Sequence, residues 1–292
     1  MLKTKRGPQV WLITQPAHAE LAGQMAAHWG NEEFAVPGRF AASADPERLR
    51  REVVLAVAEH DSGWWEWEAD PPLSADDGLP QGLGEVVANP VVGMERWRLG
   101  IPRLAERHPY ASLLIGDHAH RLYEAQFNPR HPPETTHHLL IGWAFYPEEQ
   151  KEEARRFLND VQEMQEEFRR RLEQDRFWQA ALEPAQRNPH ARLLQTLDAF
   201  SLALCSAAIT PVEGEAKGFG EDHVVFPEVP RRSWEDRVSV EIKPLGDGRI
   251  MIDPYPFDEA PLTVSVPARV VQPQTWWRQA PWILKEFTFS RS

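Results

Sequence analysis

With 292 residues, 42% of them apolar and 10% aromatic, the chain is long enough to bury one large core, or one core with an appendage. A net charge of −12 and a pI near 5.4, with no basic block anywhere, exclude an electrostatic grip on nucleic acid or on an anionic membrane, since either needs clustered lysine and arginine. The single cysteine, Cys205, excludes an internal disulfide, and its apolar setting LALCSAAI fits a buried thiol in a reducing compartment. With no secretory leader and no run of about 18 apolar residues, the expectation is a cytoplasmic protein.

Residues 10–13 are a short apolar run with strand character, and Thr14, Gln15 and Pro16 then supply a cap and a first-turn proline for a helix over 16–29. In PAHAELAGQMAAHW the three- and four-residue spacing places His18, Leu21, Ala22, Met25 and Trp29 on one face, so His18 points inward. Asp45 caps a second helix, whose apolar stripe of Val53, Val54, Val57 and Ala58 leads straight into His60 and Asp61 at its C-terminal turn. A polar pair set against a buried face needs partners. Gly63 is expected to permit the backbone reversal there. Trp64, Trp65 and Trp67 are expected to pack, with an aromatic pocket wall as the alternative.

Residues 70–100, rich in proline, glycine and aspartate, read as a long loop-like excursion that covers something. A helix over 110–127 carries Asp117, His118 and His120. The two histidines are two apart and cannot share a helix face, so at most one joins a site, and His118 is preferred. A proline-rich loop over 128–136 precedes an apolar segment opened by His137 and His138, which, like His28, receive no ligand role. Residues 148–182 read as one long charged helix with a stripe of Phe157, Val161, Met164, Phe168 and Leu172, fit for flanking the core or, alternatively, for a homodimer seam. The segment 190–209 is the most apolar helix, and Asp198 interrupts it; a carboxylate there must be paired or bound to a cation. After Pro211 the runs 238–242, 250–252, 262–266 and 283–289 alternate like strands, punctuated by Gly246, Asp247 and Gly248, and Asp253, Tyr255 and Phe257 belong to a rigid proline turn. The expected architecture is therefore mainly α, a helical metal-binding domain over 1–210 with a small β-rich subdomain over 211–292 packed on it, α+β overall.

His18, the pair His60 and Asp61, and Asp198 are inward polar features on three separate helices. Together they form a two-histidine, two-carboxylate set suited to a divalent transition metal of the Mn, Fe, Co, Ni or Zn kind, as one ion or two, with positions left open for water or substrate. An acidified water is then the natural nucleophile, with Asp61 steering it.

The pattern resembles the HD superfamily of metal-dependent phosphohydrolases, whose signature is a histidine on an early helix, an adjacent His-Asp pair at a helix end and a distant aspartate. His18 in QPAHAELAGQMAAHW, His60 and Asp61 in LAVAEHDSGW, and Asp198 in LLQTLDAFSLAL match it residue by residue over roughly 15–205. The resemblance implies an HD-type helical bundle acting on a small-molecule substrate, and places His118 or His120 where two-metal members carry further histidines. The chain departs from the pattern after Asp61, where acidic and tryptophan residues stand in place of a phosphate-binding lysine or arginine. The functional readings are a metal-dependent hydrolase, an HD-type di-iron oxygenase, and a non-catalytic ligand-binding protein, in that order. AEHDSGW, DPYPF and the β-rich end together also resemble an uncharacterised bacterial family of unknown function.

Overall fold

The computed structural model describes residues 1–125, 127, 136–137 and 146–292. Most of the loop expected at 128–136, and all but His137 of the apolar segment expected at 137–145, therefore lie outside the described residues. The chain opens with a hairpin of β1 (Leu2–Arg6) and β2 (Gln9–Ile13) turned at Gly7, where φ is 58°. The helices follow: α1 (Gln15–Ala27), α2 (Pro46–Ala58), α3 (Trp65–Ala69), α4 (Leu83–Val87), α5 (Pro90–Arg103), α6 (Pro109–Glu124), α7 (Glu148–Leu172), α8 (Arg176–Leu182) and α9 (Pro184–Cys205). Strands β3 (Val224–Pro230), β4 (Arg237–Gly246), β5 (Arg249–Asp253), β6 (Leu262–Val271) and β7 (Trp282–Arg291) complete the chain.

These strands form one 7-stranded sheet in the order β1-β2-β6-β7-β5-β4-β3, antiparallel except where β5 runs parallel to β7. This corrects the expected mainly α, HD-type bundle with a small β-rich addition. The fold is α+β with a substantial mixed sheet, and both ends of the chain supply it. Val10, Trp11 and Leu12 lie opposite Val271, Val270 and Arg269, a pairing across the whole chain that no local pattern reveals. LKTKR carries no apolar run, yet its Leu2 and Thr4 are buried while Lys5 is exposed, as a half-buried strand requires.

Helix α1 lies against β6 and α9, and most of the buried apolar side chains form one continuous cluster from Ile13, Leu21 and Val53 through Leu114 and Leu197 to Phe226, Phe287 and Phe289. The hairpin pairs only with the C-terminal end of β6, which leaves the backbone of Ser265 on that side without a strand partner. The Gln24 amide fills the gap: its Nε2 donates to the Ser265 carbonyl at 2.9 Å and its Oε1 accepts from the Ser265 N–H at 3.0 Å. That double bond fixes α1 on the sheet.

Two further expectations change. The excursion at 70–100 contains α4 and the start of α5, whose apolar face buries Met94, Trp97 and Ile101. The long helix over 148–182 is two, because Asp175 caps α8 by accepting from Phe177 N at 2.9 Å. Its stripe residues Phe157, Val161, Phe168 and Leu172 are buried within the chain, where α7 packs on α6. Cys205 is buried, which pushes its thiol well above the ordinary range. No helix among the described residues is long and apolar enough to cross a membrane.

His190 on α9 shows how the interior treats an unused imidazole. Its Nε2 accepts from Gly38 N at 2.9 Å and its Nδ1 bonds the Tyr110 hydroxyl at 2.8 Å, so both nitrogens are satisfied in the neutral ring. Burial holds its pKa down at about 3. Because the unfolded chain binds a proton that the folded one refuses, stability should fall as pH drops from about 6.5 toward 3, by up to about 1.4 kcal/mol per pH unit from this residue. His190→Gln keeps an acceptor and a donor without a titration. Chemical denaturation at several pH values between 4 and 6.5 should show a shallower loss of stability for that variant than for the wild type.

Candidate metal centre

The expected ligands converge. Thr14 caps α1 by accepting from Ala17 N at 3.1 Å, and the helix turns His18 inward, 1% exposed. Asp45 caps α2 by accepting from Arg48 N at 2.9 Å, and α2 buries Leu49, Val53, Ala56 and Val57 before it ends at Ala58. Turn bonds from Ser62 N to Glu59 O at 3.0 Å and from Trp64 N to Asp61 O at 3.0 Å then carry His60 and Asp61 into the interior.

Gly63 serves this turn differently from the expected backbone reversal. A Cβ on it would lie 1.9 Å from Arg96 O and 3.0 Å from Gly100 N, so the glycine is needed for close approach of α5. A Cβ on Gly23 would likewise lie 2.5 Å from the Ala58 side chain, so α1 and α2 meet almost backbone to backbone. Gly63→Ala should therefore overpack the junction, with a loss of about 1–3 kcal/mol in denaturant titrations.

At the centre stands Asp198 of α9. Its Oδ1 lies 3.4 Å from His60 Nε2 and 3.8 Å from His18 Nδ1, and its Oδ2 lies 3.2 Å from His118 Nε2 and 2.9 Å from His137 Nε2. Asp61 Oδ2 sits 2.8 Å from His18 Nε2 and 3.8 Å from His60 Nε2. The rings follow one another edge to face, His18 to His60 at 5.3 Å, His60 to His118 at 5.4 Å and His118 to His137 at 5.3 Å between centroids. Two sets of three, His18-His60-Asp61 and His60-His118-Asp198, bring their donor atoms within 4.8 Å of one another and could each hold a metal ion.

The hydrogen bonds behind the rings decide which nitrogens face the carboxylates. The Ser201 hydroxyl donates to Asp198 O at 2.8 Å, so toward His18 Nδ1, also at 2.8 Å, it accepts. His60 Nδ1 donates to Val57 O at 2.7 Å. In the neutral rings both Nε2 atoms then carry lone pairs, and both are aimed at carboxylate oxygens. Acceptor faces acceptor unless a proton or a cation stands between them. Burial opposes charge on His60, but Asp61 and Asp198 outweigh it and push its pKa up to about 9. Burial also opposes ionisation of Asp198, yet His60, His118 and His137 hold it well below the usual carboxylate range, and Asp61 is lowered by His60 and His18. His118 goes the other way, down to about 4, because burial dominates. Two carboxylates ringed by imidazole nitrogens make a nitrogen- and oxygen-lined centre, and these donors fit a divalent transition metal.

His120, two residues along α6, is turned aside to Gln162 Nε2 at 3.1 Å. His28 pairs with Asp258 at 2.9 Å on the surface. His137, to which the sequence reading gives no role, stands against Asp198. Its position depends on Arg192, buried two turns before Asp198 on α9, which donates to Thr136 O at 2.7 Å, Pro227 O at 2.8 Å and Glu228 O at 3.1 Å. The bulge in β3, with Glu228 at φ 59°, brings the last two carbonyls to it. A clamp on Thr136 from a distant helix places His137 here, so no helical spacing could have signalled it.

The centre forms the floor of a cavity of about 390 Å³. Trp64, Val86, Trp97, Leu122, Tyr123 and Leu202 are among its walls, so the region at 70–100 does cover the site. Of the three adjacent tryptophans only Trp64 is among the lining residues; Trp67 packs on it at 5.4 Å and Trp65 is 48% exposed.

Asp61→Asn tests the charge reading. An amide can donate to His18 Nε2, so chelated protein carrying it should melt at the wild-type temperature or a few degrees above it, while the stabilisation that added metal confers on wild type, about 2.7 kcal/mol at a hundredfold excess over Kd, should vanish. Melting curves with and without chelator and elemental analysis check both arms.

A family model described as a protein of unknown function, DUF3891, matches residues 1–273. No curated protein and no solved structure matches the chain.

Proposed function

The chain belongs to the DUF3891 family, and for it we propose a metal-dependent hydrolase in which His18, His60, Asp61, His118 and Asp198, with His137 beside them, hold one or two divalent transition-metal ions. The observation that carries this reading is the pair of imidazole lone pairs aimed at buried carboxylates on the floor of an accessible cavity. The reading extends the resemblance of the His18, His60-Asp61 and Asp198 pattern to the HD superfamily. A bound ion of this kind supplies Lewis acidity and brings a water's pKa toward neutrality.

The chain's own residues do the rest. Ser201 and the Val57 carbonyl fix the His18 and His60 rings with Nε2 inward. Asp61 lines the cavity and its carboxylate accepts the proton that the attacking water loses. The water's oxygen joins the electrophilic centre of the substrate, the bond to the leaving group breaks, and the proton passes to that group. Trp64 and Trp97 keep bulk water from the floor of the site.

Protein purified without an affinity tag should contain a divalent transition metal, and manganese or cobalt should support hydrolysis in a panel of esters, amides and phosphoesters. Asp61→Asn should lower the rate by about 100- to 1,000-fold, a loss of roughly 3–4 kcal/mol of transition-state stabilisation. A metal-loaded protein inert to the whole panel would overturn the hydrolase reading.

A second reading, an HD-type di-iron oxygenase, draws support from the four imidazoles around the two carboxylates, a nitrogen-rich set suited to iron. Oxygen consumption and colour in iron-loaded protein would favour it over hydrolysis.

A further inference from the structure

Three of the segments that floor the cavity continue in the same way. One turn beyond Asp61 stands Trp64, one turn beyond His118 stands Leu122, and one turn beyond Asp198 stands Leu202, and all six residues line the cavity. Three- and four-residue spacing puts each apolar side chain on the same face as its candidate ligand. Trp97 adds a ring 5.5 Å from that of His118, so the apolar wall begins directly at the centre.

Burial grades the rest of the described lining. Val86 and Tyr123 are buried like the floor, Leu83, Val87, Tyr146 and Gln150 are half-buried, and Gly84 is exposed. The cavity thus runs from a buried polar floor, between aromatic and aliphatic walls, to an exposed end shared by α4 and the start of α7. Its volume of about 390 Å³ lies within the range of small-molecule pockets, about 300–1,000 Å³. These wall side chains contribute no donor atom to a cation, and a small hydrophilic ligand would leave them facing water. An apolar group laid against them removes that surface from water.

We propose that the cavity takes an amphiphile, with an oxygen-bearing head that meets the cation on the histidine and aspartate floor and an aliphatic or aromatic body that lies against Trp64, Leu122 and Leu202 and points to the exposed end. The place of the head rests on the metal-dependent reading above, whereas the place of the body rests on the wall. Divalent transition metals accept neutral and anionic oxygen donors alike, so the ion recognises the head, the wall recognises the body, and a bond to be hydrolysed lies at the head.

Hydroxamic acids supply the probes, because their head chelates divalent transition metals independently of the tail. Heptanohydroxamic acid extends acetohydroxamic acid by five methylenes, and (2-methoxyethoxy)acetohydroxamic acid has the same chain length as the heptanoyl compound but carries two ether oxygens. Binding to the cobalt-loaded full chain is measured by calorimetry, while the visible cobalt bands report the head at the ion. Each methylene moved from water to the wall is worth up to about fourfold, so the heptanoyl probe should bind about 100-fold or more tighter than the acetyl one and about tenfold or more tighter than the ether. Gly84 lines the cavity and a Cβ on it meets nothing within 4 Å, so Gly84→Trp adds a ring at the exposed end without a clash. In this variant, and in Val87→Trp as a second way to narrow the same end, acetyl binding should stay within about twofold of wild type while the heptanoyl advantage shrinks by about tenfold or more.

A heptanoyl gain below about threefold, an ether probe that matches it, or a gain undiminished in both tryptophan variants would overturn the proposal. Heptanoyl binding that leaves the cobalt bands unmoved would place the head away from the ion and overturn it as well, and a chain that takes up no divalent metal would overturn both this inference and the hydrolase reading. Tail selectivity without turnover of heptanoyl esters, amides or alkyl phosphoesters would leave this inference standing and overturn the hydrolase reading alone. Turnover of acetyl esters with no preference for the longer tail would do the reverse.

Discussion

The carboxylate of Asp198 is the constraint on which the rest of the structure depends. A charged group on the most buried helix of the chain would be prohibitive if left alone, and the fold meets it with nitrogen atoms of four imidazoles between 2.9 and 3.8 Å away. Each histidine comes from a different segment: α1, the turn after α2, α6, and residues 136–137. Convergence of this kind must be maintained against the tendency of buried ions to repel or to take up protons, and the bonds behind the rings do this. Ser201 and Val57 each occupy the outward nitrogen and so direct the inward one. The result is a close set of nitrogen and oxygen donors around two carboxylates, which could hold a cation.

Reaching this geometry requires backbones to come unusually close. Gly23 against Ala58 lets the first two helices meet, and Gly63 against Arg96 and Gly100 lets α5 cross the His60-Asp61 turn. Small residues at these points are ligand-positioning devices even though none of them bears a functional group. The sheet acts on the site indirectly through two clamps. Gln24 ties α1 to β6, and Arg192 ties the bulge of β3 to Thr136 and so to His137. The strands, remote from the chemistry, thus determine where two of the four rings stand.

The cavity joins two unlike environments. Its floor is made of histidine and aspartate side chains, whereas its described walls are mainly aromatic and aliphatic. Where water is scarce the field of the two aspartates is weakly screened, which would strengthen their attraction for a cation. The region between α3 and α5, read from sequence as a cover, supplies part of the cavity wall.

Much of the centre was legible in the sequence because its residues lie on helices, where spacing reports direction. The apolar face of α1 sent His18 inward, the stripe of α2 carried His60 and Asp61 to a buried end, and the continuous apolar run of α9 left Asp198 no place but the core. The two-apart spacing of His118 and His120 correctly implied that they face different surroundings. Tertiary structure alone decided the remainder. The seven-stranded sheet depends on pairing the first strands of the chain with the last, and Lys3 and Lys5 disguised β1 as a polar segment. His137 reached Asp198 beside Thr136, which a distant arginine holds, and the role of Gly63 became visible only when α5 lay across it. Local periodicity determines which face of an element is buried; which elements meet, and how closely, is set by contacts between residues far apart in the chain.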